Sequence, residues 1–170
     1  MAIKHKFVSA KSEGGDATLV GPNEWNDGHD VSYGNMYAMD ADIEVATTPI
    51  DTVVQVPSGL TGGLTNGFTF QNDRELRCDV AGIYMLVWSM SVSAVVNDQE
   101  IEGAVLIDGV EQESITGHSE LVNATKASTM SGTGIINLAV NQVVSLALEN
   151  HTAGNNTTVK HLTLTILGIG

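Results

Sequence analysis

Short runs of alternating or continuous hydrophobic residues fill the chain from about residue 34 onward. Turn residues separate these runs, as at Pro57-Ser58-Gly59 and Asn97-Asp98, at the spacing that is typical of β-strands. No window has the 3.6-residue apolar period of an amphipathic helix. The pattern therefore predicts an all-β sandwich or barrel. The predicted strands cover residues 51–56, 67–70, 75–80, 83–96, 101–108, 112–117, 130–140, 143–149 and 159–167.

The dipeptide Asp108-Gly109 predicts a tight β-hairpin. It lies between the hydrophobic residues 105–107 and Val110. Asp-Gly is favoured in two-residue hairpin turns because both turn positions need a positive φ angle. The two flanking segments should therefore pair with each other.

Two predicted strands are hydrophobic on both faces. Residues 83–90 are almost entirely apolar, and residues 135–140 are interrupted only by Asn137. A sandwich strand normally buries one face and exposes the other to water. Association with other copies of the chain would cover the second face, and a loop folded over it is the alternative. We favour association.

The charge of the chain narrows the classes of partner. The net charge is −13 and the pI is near 4.4, which argues against a nucleic-acid or anionic-membrane partner. The first eleven residues are the exception, because Lys4, Lys6 and Lys11 stand there without an acid. No apolar segment approaches the roughly 20 residues that are needed to cross a bilayer, so membrane insertion is not expected.

The central part of the chain resembles the complement C1q and tumour-necrosis-factor (TNF) domains. Their signature begins with an aromatic residue, which is followed after five intervening residues by Gly-x-Tyr-x-Phe-x-aromatic. In this chain Gly82, Tyr84 and Trp88 match the signature, whereas Leu76 and Leu86 stand where the family has phenylalanine. Residues 138–146 and 162–170 resemble later strands of the family, so the likeness spans most of residues 67–170. It implies a jelly-roll sandwich that trimerises around an apolar and aromatic axis. The resemblance assigns Tyr84, Leu86 and Trp88 to the trimer interface.

The stretch from Lys4 to His29 resembles the N-terminal segment of many tailed-bacteriophage virion proteins. That segment has the core Asp-Ala-Thr-Leu-Val-x-Pro-x-x-Trp-Asn-x-x-His and precedes varied C-terminal domains. The resemblance implies an attachment peptide, and Trp25 with the pair Leu19-Val20 offers the apolar anchors that dominate interface energetics. The residues assigned to virion attachment are Asp16, Thr18, Leu19, Val20, Pro22, Trp25, Asn26 and His29.

The sequence has no pattern that indicates catalysis, and we predict no catalytic residue and no cofactor. It contains no nucleophile elbow, P-loop or dinucleotide fingerprint. Cys78, the one cysteine, alternates with apolar residues and is predicted to be buried. The remaining histidines, His5, His118, His151 and His161, have no zinc-like spacing.

Structural calcium is the metal that the sequence suggests, and we consider it the weaker alternative. Asp27, His29 and Asp30 are clustered, and Asp40-x-Asp42-x-Glu44 would place three carboxylates on one face of a strand. Relatives of C1q often hold calcium, but the glycine of an EF-hand loop is missing after these acids. Alternating acids also serve as a solvated strand edge that prevents aggregation. We favour that explanation.

These observations combine into one hypothesis. Residues 1–33 form an extended arm that attaches to a phage capsid or tail protein, and residues 34–170 form a homotrimeric jelly-roll knob. The protein would be a non-enzymatic capsid decoration or head-fibre protein, synthesised in the bacterial cytoplasm and exposed on the virion surface. The alternative is a tail fibre or spike tip that binds a host receptor or glycan through residues 118–128 and 151–158. A polysaccharide-degrading enzyme would need paired carboxylates across a groove.

Overall fold

The computed structural model describes residues 2–3, 29–124, 126–152 and 154–169. The chain divides into two units, Met1–Val31 and Ser32–Gly170. In the first unit, β1 (Ala2–Ile3) pairs with β2 (His29–Asp30) in antiparallel fashion. Within the described residues, no helix is long and apolar enough to span a membrane.

The described residues of the second unit form thirteen β-strands and one turn of 3₁₀ helix. The strands are β3 (Tyr33–Ala38), β4 (Ile43–Val45), β5 (Val54–Gln55), β6 (Thr61–Asn66), β7 (Phe68–Gln71), β8 (Glu75–Cys78), β9 (Gly82–Ala94), β10 (Gln99–Ile107), β11 (Val110–Glu111), β12 (Gly117–Leu121), β13 (Ser128–Leu138), β14 (Val143–Asn150) and β15 (Thr157–Gly168). The 3₁₀ turn covers Glu113–Ile115. The predicted all-β class is therefore confirmed.

The strands of this unit form two antiparallel sheets. The first sheet has the order β13-β9-β15-β3-β6, with β4 paired to β15. The second sheet has the order β11-β10-β14-β8-β7, with β12 paired to β10 and β5 paired to β14. Neighbouring strands in each sheet are mostly distant in sequence, as in β9 and β15, so long-range pairing holds the unit together.

The inward faces of the two sheets enclose one hydrophobic core, and Trp88 is its largest fully buried side chain. The indole Nε1 donates a hydrogen bond to the carbonyl of Ile115 at 3.1 Å. A Cβ on Gly103 or Gly132 would lie within 2.6 Å of the indole, so both positions need glycine to admit the ring. The 3₁₀ turn therefore supplies an acceptor to the core tryptophan.

The hairpin predicted at Asp108-Gly109 is confirmed. Ile107 pairs with Val110, and the two turn residues have φ angles of 52° and 79°. The Asp108 carboxylate also accepts a hydrogen bond from the backbone N–H of Val143 at 2.9 Å, which fixes the turn to the next strand of the sheet.

The structure corrects other expectations for the strands. The sequence predicts a strand over residues 112–117, but the chain forms the 3₁₀ turn there because Ile115 has to reach the core beside Trp88. Strands β3, β4, β6 and β12 are not among the predicted ones. The sequence also suggests a surface loop over residues 118–128, whereas His118 lies in β12 opposite Glu102 of β10.

Another segment of the chain covers part of the outward face of the second sheet. Ala104, Leu106 and Ala147 lie on the outward face of the second sheet and are covered by Val53 from the segment that precedes β5. A folded-over segment therefore buries this outward surface. No equivalent covering is seen over β9 and β13 among the described residues, where Ile83, Met85 and Ile135 remain exposed.

Candidate functional site

The first sheet carries an apolar patch on its outward face, at one end of its strands. The patch consists of the exposed side chains Ile83, Met85, Val87, Ile135 and Leu167. Soluble domains rarely leave contiguous hydrophobic surface of this kind uncovered unless it binds something. We call these five residues the apolar patch.

The strand register assembles the patch. Ile135 of β13 lies opposite Met85 of β9, and Met85 lies opposite Leu167 of β15, which in turn pairs with Tyr33 of β3. Directly opposed residues point to the same face of a sheet, so these side chains form one row across four strands. Residues that are up to about 134 positions apart in the chain therefore share one surface.

The structure corrects the assignment of Tyr84, Leu86 and Trp88 to a trimer interface. All three are buried within the unit, and the Tyr84 ring packs edge-to-face against Phe68 with centroids 5.1 Å apart. Successive strand residues point to opposite faces, so the even-numbered positions of β9 fill the core. The odd-numbered ones, beginning with Ile83, carry the surface that a partner could contact.

The strands that carry the apolar patch are free of acidic residues. Strands β3, β6, β9 and β13 contain no charged residue, and β15 contains only Lys160 and His161 near its start. The second sheet carries the acids instead, namely Glu75, Glu100, Glu102, Glu111, Glu120 and Glu149. In a chain of net charge −13, the end of the first sheet that carries the apolar patch is thus uncharged, since Glu44 of β4 pairs at the opposite end of β15 from Leu167. Depletion of charge is typical of the centre of protein interfaces.

The residues assigned to virion attachment lie almost entirely outside the described residues. Asp16, Thr18, Leu19, Val20, Pro22, Trp25 and Asn26 fall in the part of the chain that is not described. His29 belongs to β2, and its backbone pairs with Ile3. Their assignment therefore stays a prediction.

A group of histidine and carboxylate side chains lies on the outward face of the second sheet. His118 Nε2 and His151 Nε2 lie 3.1 and 3.2 Å from the same carboxylate oxygen of Glu102, Oε2. The two imidazole rings are stacked, with centroids 5.9 Å apart and an angle of 22° between their planes. His151 Nδ1 is 2.8 Å from Asp51 Oδ1, and His118 Nδ1 is 3.7 Å from Glu100 Oε1. We call these five residues the histidine–carboxylate cluster.

Strand register again explains the convergence. Glu102 of β10 lies between His118 of β12 on one side and Glu149 of β14 on the other. His151 follows β14 directly, and its backbone N–H donates to the Glu100 carbonyl at 3.0 Å. No sequence pattern indicates this meeting, because 32 residues separate the two histidines and their spacing fits no known motif.

Negative charge is concentrated around the cluster. The hydrogen bond with Asp51 raises the pKa of His151, although burial opposes the change. Burial raises the pKa of Glu111, and the neighbouring carboxylates of Glu102 and Glu149 raise it further. The two shifts differ in their main cause, a hydrogen bond for His151 and burial for Glu111, but the carboxylates of Glu102 and Glu149 raise the pKa of both groups.

The other candidates for chemistry are not brought together. Asp42 pairs with Lys160, Glu44 accepts a hydrogen bond from Asn156, and the Asp40 carboxylate is 3.6 Å from His161. These three acids of the calcium alternative thus have separate partners, whereas Asp27 lies outside the described residues and the side chains of His29 and Asp30 are not described. Cys78 is buried as predicted, and burial raises the pKa of its thiol, which disfavours a nucleophilic role.

Comparison with known proteins defines the fold. No family model matches the sequence, and no curated protein matches it. Solved structures do match: murine APRIL at pH 5.0 has 13% identity and a TM-score of 0.56, with 82% of this chain and 100% of that chain covered. Eiger TNF from S. frugiperda has 9% identity and a TM-score of 0.55, with 82% and 94% covered. The globular domain of zebrafish complement 1qA has 11% identity and a TM-score of 0.56, with 83% and 98% covered.

The fold of this chain is therefore the jelly roll of the TNF and C1q domains. This confirms the fold that the Gly82–Trp88 motif predicted. At these identities the likeness concerns architecture, and the roles of individual surfaces have to be argued from this chain's own residues.

Proposed function

We propose that this chain is a non-enzymatic structural protein of a tailed-bacteriophage virion. Three copies of the jelly-roll unit associate through the apolar patch, and the N-terminal arm attaches the trimer to the particle. We place it on the capsid, as a decoration or head-fibre protein. The net charge of −13 disfavours encounter with an anionic cell envelope, which supports the capsid placement over a receptor-binding tail tip.

The apolar patch is the observation that carries the self-association. It consists of five aliphatic or thioether side chains that are exposed at 37 to 69%, on strands without acidic residues. Another copy of this chain is a suitable occupant because a closed ring brings the same residues of every copy together at its symmetry axis, where uncharged apolar side chains can pack against their equivalents. A partner recognised by charge would need ionic groups that this face lacks.

The match of residues 16–29 to phage virion segments supports the attachment role. Trp25 is the strongest candidate anchor, since tryptophan is enriched among the residues that dominate interface energy. We expect Trp25→Ala to leave the knob trimeric while incorporation into particles falls at least about 10-fold, which corresponds to about 1.4 kcal/mol. Phe7→Ala is the matched control, because Phe7 is an aromatic residue of the same segment outside the matched core.

The decisive experiment is immunogold labelling of purified phage particles with an antibody against residues 34–170. Label over the whole head supports the capsid placement. Label confined to the tail end supports the alternative, a receptor-binding fibre or spike tip. Particles without label would overturn the virion role, and degradation of a host polysaccharide by the purified protein would overturn the non-enzymatic assignment.

A further inference from the structure

We propose that the histidine–carboxylate cluster binds a divalent transition-metal ion, with zinc the best fit. The ligands are Glu102 Oε2, His118 Nε2 and His151 Nε2. These three atoms converge from β10, β12 and the end of β14. The site is independent of the virion role, because it lies on a different sheet from the apolar patch.

The distances suit a four-coordinate ion. The two nitrogen atoms lie 3.1 and 3.2 Å from the shared oxygen, and all three atoms lie within 4.8 Å of one another. Zinc is bound tetrahedrally at about 2.0–2.1 Å from histidine nitrogen and carboxylate oxygen, which separates neighbouring ligand atoms by about 3.3 Å. Small side-chain adjustments would therefore place an ion at bonding distance from all three. Two histidines and one carboxylate leave the fourth position to water or to a further ligand.

The outer nitrogen of His151 has the hydrogen-bond partner that metal sites use, and that of His118 faces a carboxylate. His151 Nδ1 is 2.8 Å from Asp51, and His118 Nδ1 faces Glu100 at 3.7 Å. Histidine ligands of metals nearly always direct the second ring nitrogen to a carboxylate or carbonyl, which fixes the tautomer. When the Nδ1 hydrogen of a neutral His151 is donated to Asp51, the Nε2 lone pair faces the Glu102 oxygen, which is also an acceptor. A cation between the two atoms satisfies both.

The charge around the cluster favours a cation. Glu149 of β14 lies directly opposite Glu102 of β10, and the carboxyl group of Glu111 adjoins the Glu102 carboxylate. Among the described residues, the salt bridges of arginine and lysine are made to other acids, Glu75, Asp79 and Asp42. A divalent ion would neutralise part of this uncompensated charge. The nitrogen ligands favour zinc over calcium, which prefers six to eight oxygen atoms.

A bound ion would join three separate parts of the chain. It would connect β12 to β10 and to the residue that follows β14, and Asp51 would add the segment that covers the outward face of the second sheet. The expected consequence is a more stable knob, since a ligand that binds only the folded state raises stability by mass action.

The test is titration of the full-length, metal-stripped protein with ZnCl₂, followed by isothermal calorimetry and by thermal unfolding. We expect one ion per chain and a melting temperature that rises on zinc addition and returns with EDTA. The double variant His118→Gln/His151→Gln should bind zinc at least about 100-fold more weakly, because losing ligands costs more than the 10- to 100-fold loss seen for outer partners. His161→Gln is the control, since His161 lies on the first sheet.

A second measurement uses Co²⁺, whose visible absorption reports tetrahedral nitrogen and oxygen ligands. We expect intense bands for the wild type and for His161→Gln, and weak octahedral bands for the double variant. Equal zinc affinity in the double variant would place the ion elsewhere, for example on His5 or His29. Absence of zinc binding by the wild type at millimolar concentration would mean that the cluster is a set of hydrogen-bonded surface side chains only. Either result overturns the proposal.

Discussion

Replacing Ile135 by aspartate is the sharpest test of the apolar patch. Ile135 is 69% exposed in the single chain, so the substitution removes little packing from the folded unit. In the proposed trimer the same position is covered. Burying an isoleucine side chain completely contributes about 2–3 kcal/mol, and the exposed fraction of Ile135 therefore corresponds to about 1.5–2 kcal/mol per copy.

The introduced carboxylate weakens association more than the lost apolar contact does. A charge that is buried without a partner costs several kcal/mol after relaxation. Taking about 3 kcal/mol per copy as a lower limit, three copies lose about 9 kcal/mol of association free energy. Since each 1.4 kcal/mol is a factor of ten, the association constant of the trimer should fall by about six orders of magnitude. At micromolar concentration the variant should be monomeric.

Sedimentation equilibrium or light scattering after size-exclusion chromatography measures the mass directly. Val110→Asp is the matched control, because Val110 is 65% exposed, is also aliphatic and lies in a strand, but belongs to the second sheet. We expect a mass of three chains for the wild type and for Val110→Asp, and of one chain for Ile135→Asp. A folded, trimeric Ile135→Asp protein would refute the role of the patch, and a monomeric wild type would refute the trimer itself.

Two further outcomes test the fold and its pH dependence. Gly132→Ala should destabilise the knob by about 1–3 kcal/mol in denaturant unfolding, because the new Cβ would lie 2.5 Å from Trp88 Nε1. Gly154→Ala is the control and should be nearly neutral, because a Cβ fits at that position. Burial opposes ionisation of Glu75, but hydrogen bonds from neighbouring amides hold its pKa below the usual 4.5. Its contribution to stability is therefore present above that value and lost as the pH falls through the folded-state pKa. Acid unfolding of Glu75→Gln should accordingly depend less on pH below about 4.5 than that of the wild type, and an unchanged dependence would count against the assignment.

Much of the architecture follows from local patterns in the sequence. The long apolar run forms β9, and the Asp108-Gly109 turn forms as predicted because its chemistry is local. Strand β6 escapes prediction because Gly62 and Gly63 make it look like a turn. The need for glycine arises from another strand, since a Cβ on Gly62 of β6 would lie 2.6 Å from the Phe70 ring of β7.

The assignment of Tyr84, Leu86 and Trp88 to the trimer interface selected the wrong face of β9, and the reason is different. Because both faces of residues 83–88 are apolar, that segment alone does not distinguish the core from the surface. The continuation of the strand does, since Ser89, Ser91 and Ser93 extend the odd-numbered face whereas Met90 extends the even-numbered one. A period-two pattern followed to the end of the strand would have placed Tyr84 and Trp88 in the core. No pattern in the sequence predicts that His118 and His151 meet, because the pairing of β10 with β12 and β14 brings them together.

The separation of charge between the two sheets connects association with solubility. Three chains of net charge −13 repel one another, and that repulsion would oppose a trimer if the acids lay at the contact. The glutamates of the second sheet instead lie about 10 Å or more from the apolar patch, across the sandwich, which is comparable to the screening length at physiological ionic strength. Association should therefore change by less than about tenfold between about 50 and about 500 mM NaCl, a limit of about 1.4 kcal/mol, when followed by sedimentation. A steep strengthening with salt would mean that the acidic sheet, and not the apolar patch, lies between the copies.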